Sequence, residues 1–368
     1  MWDSQRWRDV VDGRDRSWRA VGIRAALALA EPLVTAGTLW RNRRYDLGRA
    51  AIHDVGVPVI SVGNITLGGT GKTPMTAWLC RWFRRRLIRV AVVSRGYGAE
   101  AGAVNDEAAV LELQLPDVPH LQNPDRVAAA MTAVEELASQ LIVLDDGFQH
   151  RSLARLLDIV MLDALEPFGL DHVFPRGMLR EPLRSLARAD IIVLSRGDQV
   201  SAEERECIRR RVRQYAPRSL WAESRHVPTQ VLRLGAEPAP AQELRGKRLA
   251  AFCGIGNPAA FRKTLSDLEL NPVAFREFPD HHRYRREDIA DLSRWATAHG
   301  AELVLCTEKD WVKIQSPELG EVPLAALRIE LEFTVGQELV ERRLEEVLAT
   351  VRRPEREPEQ ADTADSDC

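Results

Sequence analysis

The sequence predicts an α/β fold with a doubly wound, mostly parallel sheet, and two observations carry that prediction. First, short apolar runs recur at 57–62, 89–94, 141–144, 159–162, 191–194, 249–253 and 303–306, separated by stretches of helical character. Runs that are apolar throughout, rather than alternating, belong to strands buried on both faces, which is the condition of a parallel sheet covered by helices. Second, the first run leads into a glycine-rich loop and then a helix, the order in which such sheets build anion sites. The size agrees. A chain of 368 residues with 45% hydrophobic and 29% charged side chains is a soluble, globular, two-domain composition that needs no disulfide or metal staples.

The first 50 residues stand apart. They carry ten Arg against six Asp or Glu, net +4, in a chain whose total is −3. Arg24, Glu31 and Pro32 interrupt the apolar stretch between Arg19 and Tyr45, leaving no uninterrupted run near the ~20 residues of a spanning helix. A secretory signal is disfavoured by the long charged stretch before it. Arg24 and Glu31 are one heptad apart, hence within ~20° on a helix, and Val21, Ile23, Leu27, Leu29, Leu33 and Val34 surround that polar stripe. Two readings stay open: an amphipathic helix lying in a membrane interface with an arginine fringe, or a helical hairpin packed on the domain with its turn at Pro32.

Residues 51–228 hold the first five strand signals and form the main domain. A break rich in Pro, Gly and Ala at 225–242 precedes two further strand signals with their helices, a smaller α/β domain over 229–350. The polar segment 351–368, with three Arg against six acids, reads as a disordered acidic tail. Cys80, Cys207, Cys253, Cys306 and Cys368 make no C-x-x-C pair and fit a reducing compartment. The near-neutral charge does not suggest a nucleic-acid partner, and no obligate protein partner is evident.

The loop between the first strand and helix reads Gly63-Asn64-Ile65-Thr66-Leu67-Gly68-Gly69-Thr70-Gly71-Lys72-Thr73-Pro74. Its order matches a P-loop, so Thr66 to Thr73 form the nucleotide-phosphate site. The glycines free backbone N–H groups to wrap phosphate oxygens, Lys72 reaches the outer phosphates, and the Thr73 hydroxyl suits Mg²⁺. The strict pattern begins with Gly where this chain has Thr66. Only five of the 51 basic residues are Lys, and one occupies the required place, Lys72. Where Lys persists against such a bias, a compact ammonium is called for. The run Leu141–Leu144 ends in Asp145-Asp146, carboxylates placed for the same metal, and the spacing leaves open which is nearer. Thr307–Asp310 and Ser195–Asp198 only approximate the guanine signature, so GTP is disfavoured.

These motifs, with others along the chain, closely resemble the tetraacyldisaccharide 4'-kinase family, the lipid A kinases. They are VGNITLGGTGKTP at 62–74, VVSRGYG at 92–98, DDGFQH at 145–150, RGMLREP at 176–182, FCGIGNP at 252–258, DHH at 280–282 and TEKD at 307–310. The resemblance implies transfer of the ATP γ-phosphoryl group, with Mg²⁺, to the 4'-hydroxyl of an acylated glucosamine disaccharide 1-phosphate. It implies a peripheral enzyme on the cytoplasmic face of the bacterial inner membrane, anchored by the N-terminal segment. It also implies a catalytic dyad at the matching positions Asp106 and His281, although the flanks Asn105 and Ala108 depart from the family's G-D-E-P. Gln149 and His150 follow the Asp pair directly, which suits a place near the phosphates or acceptor, and Arg126, Arg180 and Glu181 match charged family positions, where an Arg could bind the substrate's 1-phosphate or stabilise transferring charge. Read without the family, Asp106 is a helix N-cap, and His281 and His282 are surface histidines. The rivals from other classes are a nucleotide-dependent switch or metal-insertion chaperone, and a kinase of a soluble small metabolite.

Overall fold

A computed structural model of the chain describes residues 4–96 and 106–352. Tyr97, Gly98 and Asn105 and the tail from 353 onward lie outside the described residues, while Val351, expected to open that tail, closes the last helix instead.

The chain opens with helices α1 (Ser4–Val11) and α2 (Trp18–Asp46). Ser17 caps α2 by accepting from Ala20 N–H at 3.2 Å. Pro32 sits inside α2, so the hairpin reading of this segment is corrected: the chain runs through Pro32 as one helix of 29 residues. The sheet then begins with β1 (Val59–Asn64), α3 (Lys72–Arg84), β2 (Val90–Ser94), α4 (Asp106–Gln114), β3 (His120–Gln122), α5 (Arg126–Glu135) and β4 (Leu141–Asp145). β5 (Leu157–Asp163), β6 (Ile191–Ser195), α6 (Ala202–Tyr215) and β7 (Leu220–Leu232) complete the first half. The second half comprises β8 (Ala239–Pro240), β9 (Leu249–Cys253), α7 (Pro258–Asp267), β10 (Ala274–Glu277), α8 (Arg286–Ala298), β11 (Leu303–Thr307), α9 (Glu308–Ile314), β12 (Glu318–Leu319), β13 (Val322–Val335) and α10 (Gln337–Val351).

The seven apolar runs all become strands, and every residue of β1, β2, β4, β6 and β9 is buried. At roughly 1.5–3 kcal/mol per large apolar side chain removed from water, these rows are the main source of cohesion. One sheet runs through both halves in the order β10-β9-β11-β13-β7-β6-β5-β1-β4-β2-β3. Its pairs are parallel except around β7 and β13, which lie antiparallel from Leu232 opposite Ala326 to Glu223 opposite Val335. β7 is also parallel to β6, Leu194 facing Glu223. It therefore belongs to both halves, and position 228, expected as a domain limit, falls within it.

The topology fixes where chemistry can collect. β1 and β4 lie side by side with Val62 opposite Asp145, so the carboxylate pair emerges level with the glycine loop. In an open parallel sheet this is the crevice beyond the strands' carboxyl ends.

Candidate active site

The loop between β1 and α3 is braced from several sides. Gly63 packs against the chain after β4; a Cβ there would lie 2.6 Å from Phe148 N. Asn64 donates its side-chain amide across the loop to Gly68 O at 3.4 Å. Thr66, at the position where the strict pattern has Gly, forms an antiparallel bridge to Leu179 and is buried. Leu67 N–H donates to Met178 O at 2.7 Å and Arg180 N–H to Ile65 O at 2.8 Å, so the 176–182 motif forms one wall of the loop. A side chain at Thr66 is thus accommodated by strand pairing. Gly71 takes φ +86° just before α3, which starts with no side-chain cap. The first N–H groups of α3 thereby remain available to an anion.

Lys72 is buried, and its ammonium lies 3.4 Å from Asp146 Oδ1. Arg180 Nη1 donates to both oxygens of Asp146 at 2.8 Å. Burial alone would raise the Asp146 carboxyl, yet these two cations bring it to about 2. Asp146 holds φ +52°, a conformation that Asp tolerates better than most residues. Asp145 is the contrast. It is buried with Thr76 Oγ1 donating at 3.1 Å, and desolvation, with the charge of Glu107, pushes its carboxyl up to about 7. A buried carboxylate at the end of β4, a second carboxylate next to it in sequence and the Thr73 hydroxyl in the first turn of α3 are a fitting donor set for a hard divalent cation such as Mg²⁺. Among the described residues no three acidic, His or Cys side chains gather to hold a metal, so phosphate oxygens would complete its coordination.

Asp106 and His281 are 175 residues apart in sequence, and the fold brings His281 Nδ1 to 3.1 Å from Asp106 Oδ2. Asp106 is the first residue of α4, but its carboxylate receives His281 and the Lys313 ammonium, the latter at 3.0 Å, in addition to its place at a helix start. The His281 ring is 62% exposed and so open to an acceptor. The hydrogen bond with Asp106 raises its basicity above an ordinary imidazole's, against desolvation. Burial would raise the Asp106 carboxyl, but His281 and Lys313 hold it below its usual range.

Asp310 builds the loop that presents His281. It is fully buried and accepts from Gly254 N–H at 3.0 and 3.1 Å, Tyr284 O–H at 2.9 Å and Thr307 O–H at 2.6 Å. The 252–258 and 307–310 motifs and the Tyr that follows DHH are thus one hydrogen-bonded unit. His282, by contrast, is held by Asp288 at 3.1 Å and stacks on Phe278.

The remaining expected residues divide. Arg126 is buried within the field of the carboxylate pair, and desolvation lowers its pKa. His150 contacts Ser152 Oγ at 3.0 Å and is kept neutral, its pKa depressed to about 4 by burial and then by Arg126 and Arg155. Gln149 braces the loop, donating to Asn64 O at 2.9 Å. Glu181 corrects the expectation of a substrate contact: it is wholly buried, receiving Asn42 at 2.8 Å and Arg41 and Arg188 at 3.0 Å, and so ties α2 to the domain.

The sequence pattern of the tetraacyldisaccharide-1-P 4'-kinase family matches residues 23–349. A tetraacyldisaccharide 4'-kinase of Anaeromyxobacter sp. strain Fw109-5 is 42% identical over 342 residues, covering 88% of this chain and 92% of the relative. The chain belongs to the tetraacyldisaccharide 4'-kinase family. A second such relative, of Anaeromyxobacter sp. strain K, is 40% identical over 91% of the chain and 93% of its own length. The crystal structure of LpxK from Aquifex aeolicus, in complex with ATP, superposes with a TM-score of 0.70 at 28% identity, covering 88% of this chain and 99% of that one. Membership in this kinase family sets aside the switch and soluble-metabolite alternatives.

In this member of the 4'-kinase family, sequence reasoning missed the lysines of α9. Lys309 lies 3.1 Å from Glu107 and Lys313 3.0 Å from Asp106, so three of the chain's five lysines stand at the site. Their rarity was the available signal. Arg196, in the string Ser195–Asp198 that approximates a guanine signature, pairs with Asp163 and donates to Gly69 O at 3.1 Å, bracing the glycine loop.

Proposed function

We propose that the cleft transfers the γ-phosphoryl group of ATP to the 4'-hydroxyl of a tetraacylated glucosamine disaccharide 1-phosphate, with Asp106 and His281 as the base. The observation that carries this reading is the dyad itself, joined across the two halves of the molecule.

With Nδ1–H of His281 donating to Asp106, Nε2 offers the lone pair that accepts the hydroxyl proton. The acceptor oxygen then bonds to the γ-phosphorus as the bond to the bridging oxygen of ADP breaks, and the proton rests on His281 as imidazolium. Lys72 and the N–H groups at the start of α3 bind the transferring phosphates, and Arg126 adds positive charge beside the carboxylate pair. Mg²⁺, held by Thr73 with Asp145 and Asp146, would neutralise phosphate charge. Dispersed charge and fixed geometry are most of what phosphoryl transfer requires of a protein.

The acceptor lies in a bilayer, and α2 suits a peripheral position there. Its polar stripe faces inward: Arg24 donates to Val10 O and Asp15 O, and Glu31 receives Val173 N–H, His172 and Arg176. Its apolar side faces out, with Trp18 and Leu29 79%, Leu33 76% and Trp40 65% exposed. The helix is long and apolar enough to cross a membrane, with a stretch of mean hydropathy 1.3, which exceeds what its interrupted runs suggested. Glu31, bound to the globular part at mid-helix, favours lying in the interface, where Arg16, Arg19, Arg43 and Arg44 meet anionic headgroups.

The test is incubation with labelled ATP and the tetraacylated disaccharide 1-phosphate in detergent, with GTP and a deacylated sugar as controls. One phosphoryl group from ATP at the 4'-oxygen of the acylated sugar is the expected product. Transfer from GTP alone, or none to any lipid, would overturn the proposal.

A further inference from the structure

Resting on the dyad reading above, we infer that Lys313 is a positioning residue for the base: its ammonium shares the Asp106 carboxylate with His281 and thereby sets both the orientation and the basicity of the imidazole.

The geometry is a three-membered relay. Asp106 Oδ2 receives Lys313 Nζ at 3.0 Å and His281 Nδ1 at 3.1 Å. Lys313 is only 11% exposed and lies 3.7 Å from the buried Asp310, the residue that anchors Tyr284 and with it the loop of His281. Its place is thus determined by the same unit that presents the imidazole. One helical turn earlier on the same face, Lys309 pairs with Glu107 at 3.1 Å. Two consecutive acids at the start of α4 are therefore matched by lysines at i and i+4 of α9. The second pair leaves Glu107 compensated, so Asp106 is the α4 carboxylate that Lys313 serves, with Asp310 on its other side.

A carboxylate that receives a cation on one side attracts an imidazolium less strongly on the other. Lys313 therefore keeps Asp106 ionised and fixed while moderating the rise in His281 basicity that Asp106 causes. Among the described residues, the other charges acting on His281 include Asp280, 4.0 Å from Nε2, which favours the imidazolium, and Lys309, which opposes it. Both remain when Lys313 is changed. A compact ammonium fits between two carboxylates where a planar fork would have to choose, in keeping with Lys at this position in a chain that otherwise writes Arg.

The alternative is a clasp that merely joins α9 to α4. The two roles differ in charge dependence. Lys313→Met removes both the contact and the charge, Lys313→Gln keeps a donor without the charge, and Lys313→Arg keeps the charge. The measurement is the pH profile of kcat/KM for the full-length enzyme, paired with the NMR titration of the His281 imidazole, assigned by its loss in His281→Gln. In the Met and Gln variants the acid limb and the imidazole midpoint should both move to higher pH, by on the order of one pH unit, making the rate on that limb about tenfold lower. In Lys313→Arg both should return to within a few tenths of a unit of the parent. A uniform loss of rate with the midpoint unmoved, or Gln behaving like the parent, would overturn the inference. Should Lys313→Met not fold, the Gln and Arg variants decide alone. Failure of the dyad reading shows separately, as full activity in His281→Gln, while the titration still reports what Lys313 does to the ring.

Discussion

Gly71 shows how much of the site rests on a single backbone conformation. At φ +86° a side chain is strained, and a Cβ there would meet His226 Nε2 at 2.9 Å and Ser195 Oγ at 3.0 Å. His226 is held neutral there, burial and the charge of Arg196 depressing its pKa to about 3. Gly71→Ala should therefore lower ATP affinity by tenfold or more, read by calorimetric titration, with the folded state retained; unchanged affinity would mean that the loop tolerates another path. Lys72, Asp145 and Asp146 were legible because they sit at fixed spacings from local landmarks, a glycine loop and a strand end. Asp106 and His281 were legible only through family resemblance. Lys313 was missed because nothing local marks it: its partner comes from the other half of the chain, and only the scarcity of lysine singled it out.

Among elements, α2 is the least ordinary, since it turns its polar stripe toward the protein and its apolar side away. Docking at its far end depends on Glu181. Burial would raise that carboxyl, but Arg188 and Asn42 hold it below its usual range. Glu181→Gln removes the carboxylate paired with Arg188, itself largely buried, and leaves it the field of Asp158. The expected loss is roughly 2–3 kcal/mol in urea unfolding, below that of a wholly buried pair because Arg41 is half exposed. No change in stability would remove Glu181 from the docking of α2. The sequence displayed the Arg24 and Glu31 stripe and the arginine fringe, yet could not separate a hairpin from one helix. A proline inside a helix is disfavoured locally, and only the anchors at Glu31 and Glu181 show what offsets it here.

On the scale of the whole molecule, the parallel strands were legible as uninterrupted apolar runs, while β7 and β13 were not. Those two strands are mixed in burial along their length, carrying polar residues such as Arg225, Arg328 and Glu332 between apolar ones, and they join the halves of the sheet by antiparallel pairing. That continuity lets α4 of the first half and the His281 loop of the second meet in one site, which is the central claim for the chemistry. The most direct test compares kcat of Asp106→Asn, His281→Gln and the double variant on ATP and the acylated disaccharide. If the two side chains form one base, each single change should lower kcat by about 10²–10⁴, and the double variant should be no slower than the worse single. Full activity in either single variant, or losses that multiply in the double, would contradict it.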